Sequence, residues 1–340
     1  MTVQQDINRD KPDTADLFTI DRFQKARERI RAHVKRTDCP RSTMLSRYVA
    51  GDVFLKLEQQ QKTGSFKIRG VMNKLLSLGP EEKKKELIAA STGNHAGAFA
   101  YALSILGLNG RICVPKNINP AKEAALASYP VPVRQIGNDC IETENFARDL
   151  ARKRDAIFIS PYNDPEIIQG QGSIGLELME QIDQFDCVLV PVGGGGLISG
   201  IALALKQRYP TIEIIGCQPE NSAIMYQSIR NGRIIEAESQ PTMADATAGG
   251  IEQASITFEI CKKYVDHFVL LTETEILAAF RYLHLSEHIA AEAGSAMTVA
   301  ALKQMGRNFR GKRMALVISG GQVPQSHLEK LGEPDGTYLK

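Results

Sequence analysis

Short apolar runs of strand length alternate with runs of helix length along most of this 340-residue chain. Strand-like runs fall at 53–57, 86–91, 111–114, 131–136, 156–160, 186–190, 212–217, 267–271 and 313–319. Helical patterns lie between most of them, as at 96–106, after Pro120 and at 141–152. That rhythm predicts an α/β fold with open, mostly parallel sheets flanked by helices. A hydrophobic content of 43% with 24% charged residues supports buried cores on that scale and argues against disorder. One stretch competes with this reading, because Cys187–Leu205 is uncharged and nearly long enough to span a bilayer. Its five glycines and Pro191 fit strand, glycine loop and helix better than one unbroken apolar helix.

In such folds ligands sit beyond the carboxyl ends of the strands, and three motifs occupy that position. Gly193–Gly196, followed by Leu197, separates an apolar run from a helix. Backbone N–H groups there and at the helix start can hold a phosphate, although a flexible turn is the plain alternative. It is no Walker loop, since no Gly-Lys-Ser/Thr follows. Ser91-Thr92-Gly93-Asn94-His95 is a polar loop opening a helix at Ala96, suited to a carboxylate or simply to an N-cap. Ser319-Gly320-Gly321 ends the last strand, where Ser319 suits a ring nitrogen or just a turn. Lys67 lies in Gly64-Ser65-Phe66-Lys67-Ile68-Arg69-Gly70, just past the run 53–57. Most lysines are solvated charges, but Phe66 and Ile68 favour burial, and burial lowers an amine pKa enough to make a covalent nucleophile. Lysine, polar loop and glycine cradle together suggest a Schiff-base enzyme using pyridoxal phosphate.

Two literal motif matches are set aside. Gly170-x-Gly172-x-x-Gly175 spells a dinucleotide fingerprint but follows Asp164-Pro165-Glu166 and no strand. His284-Leu285-Ser286-Glu287-His288 spells a zinc pattern, with both histidines on one helix face, yet no third ligand follows. No metal is expected. The net charge of +2 gives no case for nucleic acid or acidic lipid. The six cysteines, at 39, 113, 140, 187, 217 and 261, form no CxxC and read as buried or idle thiols in a reducing compartment. Met1–Asp16 is polar and lacks a signal-peptide core, so a cytoplasmic protein is expected.

The motifs Gln61-x-Thr63-Gly64-Ser65-Phe66-Lys67-Ile68-Arg69-Gly70, Ser91–His95, Gly170–Glu177, Val192–Leu197 and Ser319–Gly321 resemble the fold-type II pyridoxal phosphate enzymes. The serine/threonine dehydratase and serine racemase group is the nearest, and the likeness runs from about Phe18 to His327. It implies a tryptophan synthase β-like fold. A large cofactor domain would comprise 1–79 and 164–340, and a small mobile one 80–163. It implies that Lys67 carries the cofactor and later removes the Cα proton, that Phe66 packs by the ring, and that Asn94 bonds the ring 3-oxygen. Gly193, Gly194, Gly195, Gly196 and Leu197 would take the phosphate, Ser319 the pyridine nitrogen, and Glu292 would stand near the ring. Ser91, Asn94 and His95 would receive the substrate carboxylate, with Tyr162 and Asp245 also at the substrate.

The resemblance implies α,β-elimination from a β-hydroxy amino acid such as L-threonine or L-serine, giving a 2-oxo acid and ammonia, in a homodimer. Alternatives are a racemase with side elimination, a dehydratase of a less usual β-substituted amino acid as in hydroxyectoine utilisation, and a cofactor-binding protein without turnover. Thr92 stands where racemases of this kind carry a serine base and is, with Lys67, a candidate catalytic residue, although its bulkier hydroxyl ranks racemisation below elimination. Gln218 and Ile224 occupy the places of the racemase group's cation-binding acids. Ala246 and Gln322 also depart from the common pattern and bear on substrate choice. With the chain ending at Lys340, a regulatory C-terminal domain is not expected.

Overall fold

The computed structural model describes residues 14–118, 120–138, 140–332 and 338–339; most of Met1–Asp16 and the Cys140 side chain lie outside the described residues. Among the described residues nine strands form two wholly parallel sheets. They are β1 (Asp52–Leu57), β2 (Leu87–Ala90), β3 (Gly110–Val114), β4 (Val133–Gln135), β5 (Ile157–Phe158), β6 (Cys187–Pro191), β7 (Glu213–Pro219), β8 (His267–Leu271) and β9 (Arg313–Ile318). The five-stranded sheet has the order β1-β9-β6-β7-β8 and the four-stranded sheet β4-β3-β2-β5. β6 is buried at every residue, as a parallel strand covered by helices on both faces must be. The run expected at 131–136 shrinks to an exposed edge strand, β4, because Pro130 and Pro132 offer no N–H to a neighbour.

Cys187–Leu205 is strand, loop and helix as the glycines require, and no described helix is long and apolar enough to cross a membrane. The core beneath the four-stranded sheet reaches outside 80–163. Ile68, Val71, Met72 and Leu75 of helix Lys67–Ser77 pack there against Leu87, Phe99, Leu103 and Ile112. The five described side chains among the cysteines are free thiols, and burial pushes Cys39, Cys187 and Cys261 up to about 12.

Gly170, Gly172 and Gly175 lie inside helix Pro165–Gln181, which Asp164 caps by accepting from the N–H groups of Glu166 and Ile167. They serve close packing. A Cβ on Gly170 would come within 2.5 Å of the Arg69 carbonyl oxygen, and one on Gly172 within 2.3 Å of the Phe23 ring. The backbone of the Lys67 helix therefore rests directly on helix Pro165–Gln181. The His284 and His288 reading needs correction. The helix Glu273–Leu285 ends before His288, whose φ of 56° turns the chain away, so the two rings share no helix face.

Next to this helix contact lies a buried charge cluster. Arg69 donates from Nε and Nη2 to both oxygens of Glu58 at 2.8 Å, and from Nη1 to Glu177 at 2.6 Å and Ser173 at 3.0 Å. Lys56 donates to Glu177, the Thr37 carbonyl and Gln181. Arg69, Lys56 and Glu58 have no exposure at all. Burial works against the Glu58 carboxylate, but the charge and hydrogen bonds of Arg69 outweigh it and hold Glu58 below its ordinary value. Removing one member strands its partners, so Arg69→Met should cost about 3–5 kcal/mol of unfolding free energy. Arg69→Lys should not restore it, because one ammonium cannot span two carboxylates in this forked geometry. Denaturant titration measures both, and an unchanged midpoint for Arg69→Met would show that the cluster carries no net stability.

Candidate active site

β1, β9 and β6 lie side by side and end at one edge, so their following loops converge. The chain after β1 is stitched to the chain after β9. Phe66 N–H donates to the Ser319 carbonyl at 3.0 Å, and Gly321 N–H to the Gly64 carbonyl at 2.9 Å. This pairing sets Lys67, the first residue of its helix, beside Ser319. β6 delivers Gly193–Gly195 and the helix Gly196–Arg208. From the other sheet, β2 delivers Ser91–Gly93; Asn94 and His95 already form the first turn of helix Asn94–Leu106, two residues earlier than the sequence suggested.

Lys67 is half-buried, and its ammonium donates to the Pro161 carbonyl at 2.9 Å while standing 5.1 Å from the centre of the Phe66 ring. Burial lowers its pKa to about 8, against the opposing pull of Glu292. Glu292 stands at the N-cap position of helix Ala293–Gln304 without a side-chain cap bond and is 6% exposed. Burial lifts its pKa to about 7; Asn94 Nδ2, donating to both its oxygens at 3.1 and 2.9 Å, works against that rise, and Asp245 adds to it. A Cβ on Gly320 would meet the Glu292 carboxylate at 2.5 Å, so only glycine admits the acid at this place. Asp245 itself is exposed, in the short turn Asp245–Thr247.

Ser319 is 3% exposed, with its hydroxyl 3.1 Å from that of Ser295. Ser295 in turn donates to the Gly320 carbonyl and accepts from the Gly320 N–H, both at 2.8 Å. Neither serine can carry a charge. His95 is drawn into the sheet, with Nε2 at 3.0 Å from the Ile159 carbonyl and Nδ1 buried without a partner. Burial and the charge of Lys67 take its pKa down to about 3, so the ring is neutral, Nε2 holds its proton and Nδ1 presents a lone pair. Ser91 Oγ accepts from the Gly93 N–H at 3.3 Å, and Thr92 is half-buried in the same loop. Tyr162 packs its ring on the glycine loop, 2.4 Å from where a Gly194 Cβ would stand, and its hydroxyl accepts from the Glu252 N–H at 2.7 Å. Gln322 is exposed and lies between Gly64 and Gly97. Gln218 spends its amide on the Val192 carbonyl at 3.2 Å and the Tyr226 N–H at 2.9 Å. Among the described residues no cluster of three His, Cys, Asp or Glu could hold a metal.

The expected cofactor carries an aldehyde, a phosphate, a ring oxygen and a ring nitrogen, and the residues present fit each. A half-buried amine with a lowered pKa suits the aldehyde. Among the described residues the N–H groups of Gly193, Gly194, Gly195 and Gly196 donate to no protein acceptor, which leaves them for an anion. Asn94 Oδ1, buried without a partner, could accept from the ring oxygen where that is a hydroxyl, and Ser319 offers a neutral hydroxyl. Sequence reasoning missed Ser295, Glu252 and the Pro161 carbonyl, none of which stands in a motif; each reaches the site through tertiary contact alone.

A family model described as "Pyridoxal-phosphate dependent enzyme" matches residues 30–320. The chain is 39% identical over 315 residues to the L-threonine ammonia-lyase of Thermotoga maritima, covering 93% of this chain and 78% of that protein. It is 37% identical over 321 residues to the catabolic L-threonine dehydratase TdcB of Escherichia coli, covering 94% and 97%. The structure superimposes on maize serine racemase with a TM-score of 0.86 at 31% identity, covering 92% and 95%.

Only the neutral amine attacks an aldehyde. Trapping of Lys67 by a small aldehyde and cyanoborohydride, followed by peptide mass spectrometry, should rise with pH and level off above about 8. A rise continuing to the ordinary lysine range would show that burial does not lower this amine.

Proposed function

The chain belongs to the pyridoxal-phosphate dependent enzymes, in the group of threonine dehydratases and serine racemases, and from that premise we propose that it is an ammonia-lyase for a β-hydroxy amino acid such as L-threonine or L-serine. The observation that carries the reading is the Lys67 amine, held by the Pro161 carbonyl with a pKa of about 8 beside the glycine loop. Pyridoxal phosphate, when bound, supplies the electron sink for the charge left at Cα. The chain supplies the rest. Lys67, neutral in about a tenth of its population at pH 7 and in half of it at about pH 8, is the base that takes the Cα proton. The loop Ser91–Asn94, at the start of a helix, receives the substrate carboxylate; His95, with a lone pair on Nδ1, stands behind it rather than on the anion. The glycine cradle with Leu197 takes the phosphate, Phe66 packs by the ring, and Asn94 and Ser319 take the ring oxygen and nitrogen. Loss of the Cα proton and the β-hydroxide gives an enamine, which on release takes up water and yields ammonia and the 2-oxo acid.

Ser319 cannot protonate the ring nitrogen, which limits how long charge is stored and favours prompt loss of the β-substituent over transamination. Tyr162, Asp245, Ala246 and Gln322 are the positions proposed to select the β-substituent. A homodimer and closure of 80–163 over the cofactor belong to the same proposal; helix Lys67–Ser77, just before that segment, shares the core of the smaller sheet. The similarity to maize serine racemase supports a second reading, racemisation with side elimination, in which the Thr92 hydroxyl serves as the second base.

Two variants separate these readings from each other and from cofactor binding without turnover. Lys67→Ala should abolish both the visible absorbance of the lysine-bound cofactor and 2-oxo-acid release from L-threonine and L-serine; retained turnover would end the assignment. Thr92→Ala should keep elimination within about tenfold of the parent, whereas a racemase would lose interconversion of L- and D-serine, measured by chiral chromatography. Wild-type protein that binds the cofactor but releases no 2-oxo acid from L-threonine, L-serine, D-serine or either 3-hydroxyaspartate diastereomer would displace the dehydratase proposal for these substrates.

A further inference from the structure

Behind the glycine loop stands Thr257, in the first turn of helix Ile256–Tyr264 and with no exposure. Its Oγ1 donates to the Gly194 carbonyl at 2.7 Å, and the Ser255 hydroxyl lies 2.8 Å from it. Since the Thr257 proton goes to the carbonyl, Ser255 donates to Thr257. A trans peptide points its C=O and the following N–H in opposite directions. The bond that draws the Gly194 carbonyl to the buried side therefore turns the Gly195 N–H away from Thr257, towards the open face of the loop.

The neighbours of Gly195 fix the rest of this geometry. Its φ is 84°, a left-handed conformation that favours glycine, and a Cβ there would meet Met225 at 2.8 Å, Thr257 at 3.1 Å and Cys261 at 3.2 Å. Gly195 cannot be replaced to stiffen the loop, so its orientation has to be imposed from outside. Elsewhere on the loop the Tyr162 ring closes on Gly194, and the Tyr162 Cα, Cβ and carbonyl oxygen close on Gly196.

We propose that Thr257 is a positioning residue for the anion cradle, whose hydroxyl locks the Gly194–Gly195 peptide so that the Gly195 N–H faces the site. The inference rests on the reading of this loop as the phosphate site. Without the hydroxyl the peptide is free to turn, presenting a carbonyl oxygen to a phosphate where an N–H should be. The cradle then loses a donor and gains a repulsive dipole, while the amine site at Lys67 is untouched.

Comparing two aldehydes tests this in the full-length protein. Apo protein is titrated with pyridoxal phosphate and with pyridoxal, which lacks the phosphate, and binding is followed by absorbance. Thr257→Val keeps the shape of the side chain and removes the hydroxyl. It should weaken pyridoxal phosphate by about 10- to 100-fold, the range for one hydrogen bond to a charged group, and leave pyridoxal within about twofold. Thr257→Ser, which keeps the hydroxyl, should restore the wild-type preference. If Thr257→Val does not fold, Thr257→Ala carries the same comparison. Equal weakening of both aldehydes, or none for pyridoxal phosphate, would overturn the role of Thr257. Wild-type protein that prefers pyridoxal phosphate no more than pyridoxal would instead overturn the phosphate reading of the loop.

Discussion

Arg69 is where the fold and the chemistry meet. Its guanidinium joins Glu58, just past β1, to Glu177, on the helix Pro165–Gln181, with Lys56 closing the far side. Two residues earlier on the same helix is Lys67. This helix has no side-chain cap at its start, so its position has to be set by something further along. Forked bonds to both Glu58 oxygens and to Glu177 fix the direction as well as the distance of that helix, which a single ammonium could not do. The glycine contacts between the two helices set their spacing, and the charge cluster sets their register.

The resulting site tunes its groups by burial more than by pairing. Lys67 and Glu292 attract one another, yet each is pushed towards its neutral form, the amine to about 8 and the acid to about 7. Desolvation therefore outweighs their mutual attraction. The sign matters for function. A fully formed ammonium-carboxylate pair would hold the proton on Lys67 and rule out the base proposed above, whereas a lysine near 8 and an acid near 7 leave a proton free to move between states around neutral pH. Asp245 adds to this by disfavouring the Glu292 anion, so an exposed turn contributes to the state of a buried acid.

The fold was legible because its main signal is local. Continuous apolar runs such as 187–190 announce buried parallel strands, and the proline and glycines after them announce loops. Thr272 and Glu275 form a capping box at the start of helix Glu273–Leu285, a signal that is likewise local. Boundaries were less legible where tertiary contacts decide them: β4 is cut short by its prolines, and helix Asn94–Leu106 starts early because Asn94 and His95 find partners in Glu292 and Ile159. The lysine, glycine loop and terminal serine could be named from sequence because each follows a strand. Ser295 and Thr257 could not. They look like any helix-start hydroxyls until the fold sets them against Ser319 and Gly194.

The literal dinucleotide fingerprint shows why such a motif has to be read in its place. The same three glycines can bring a backbone close to a pyrophosphate after a strand, or bring two helices together within one. Here they lie in the middle of Pro165–Gln181 and touch Arg69, Gly70, Phe23, Gly200 and Ala204. Their chemistry, the absence of a side chain, is identical in both settings. What differs is which group fills the space, and that is decided by the residue preceding the motif. Asp164 with Pro165 starts a helix by capping and by a fixed φ, so the glycines are committed to helix packing before they are reached. The close contact they permit is the one on which the Lys67 helix rests, so the pattern governs where the proposed Schiff-base lysine stands.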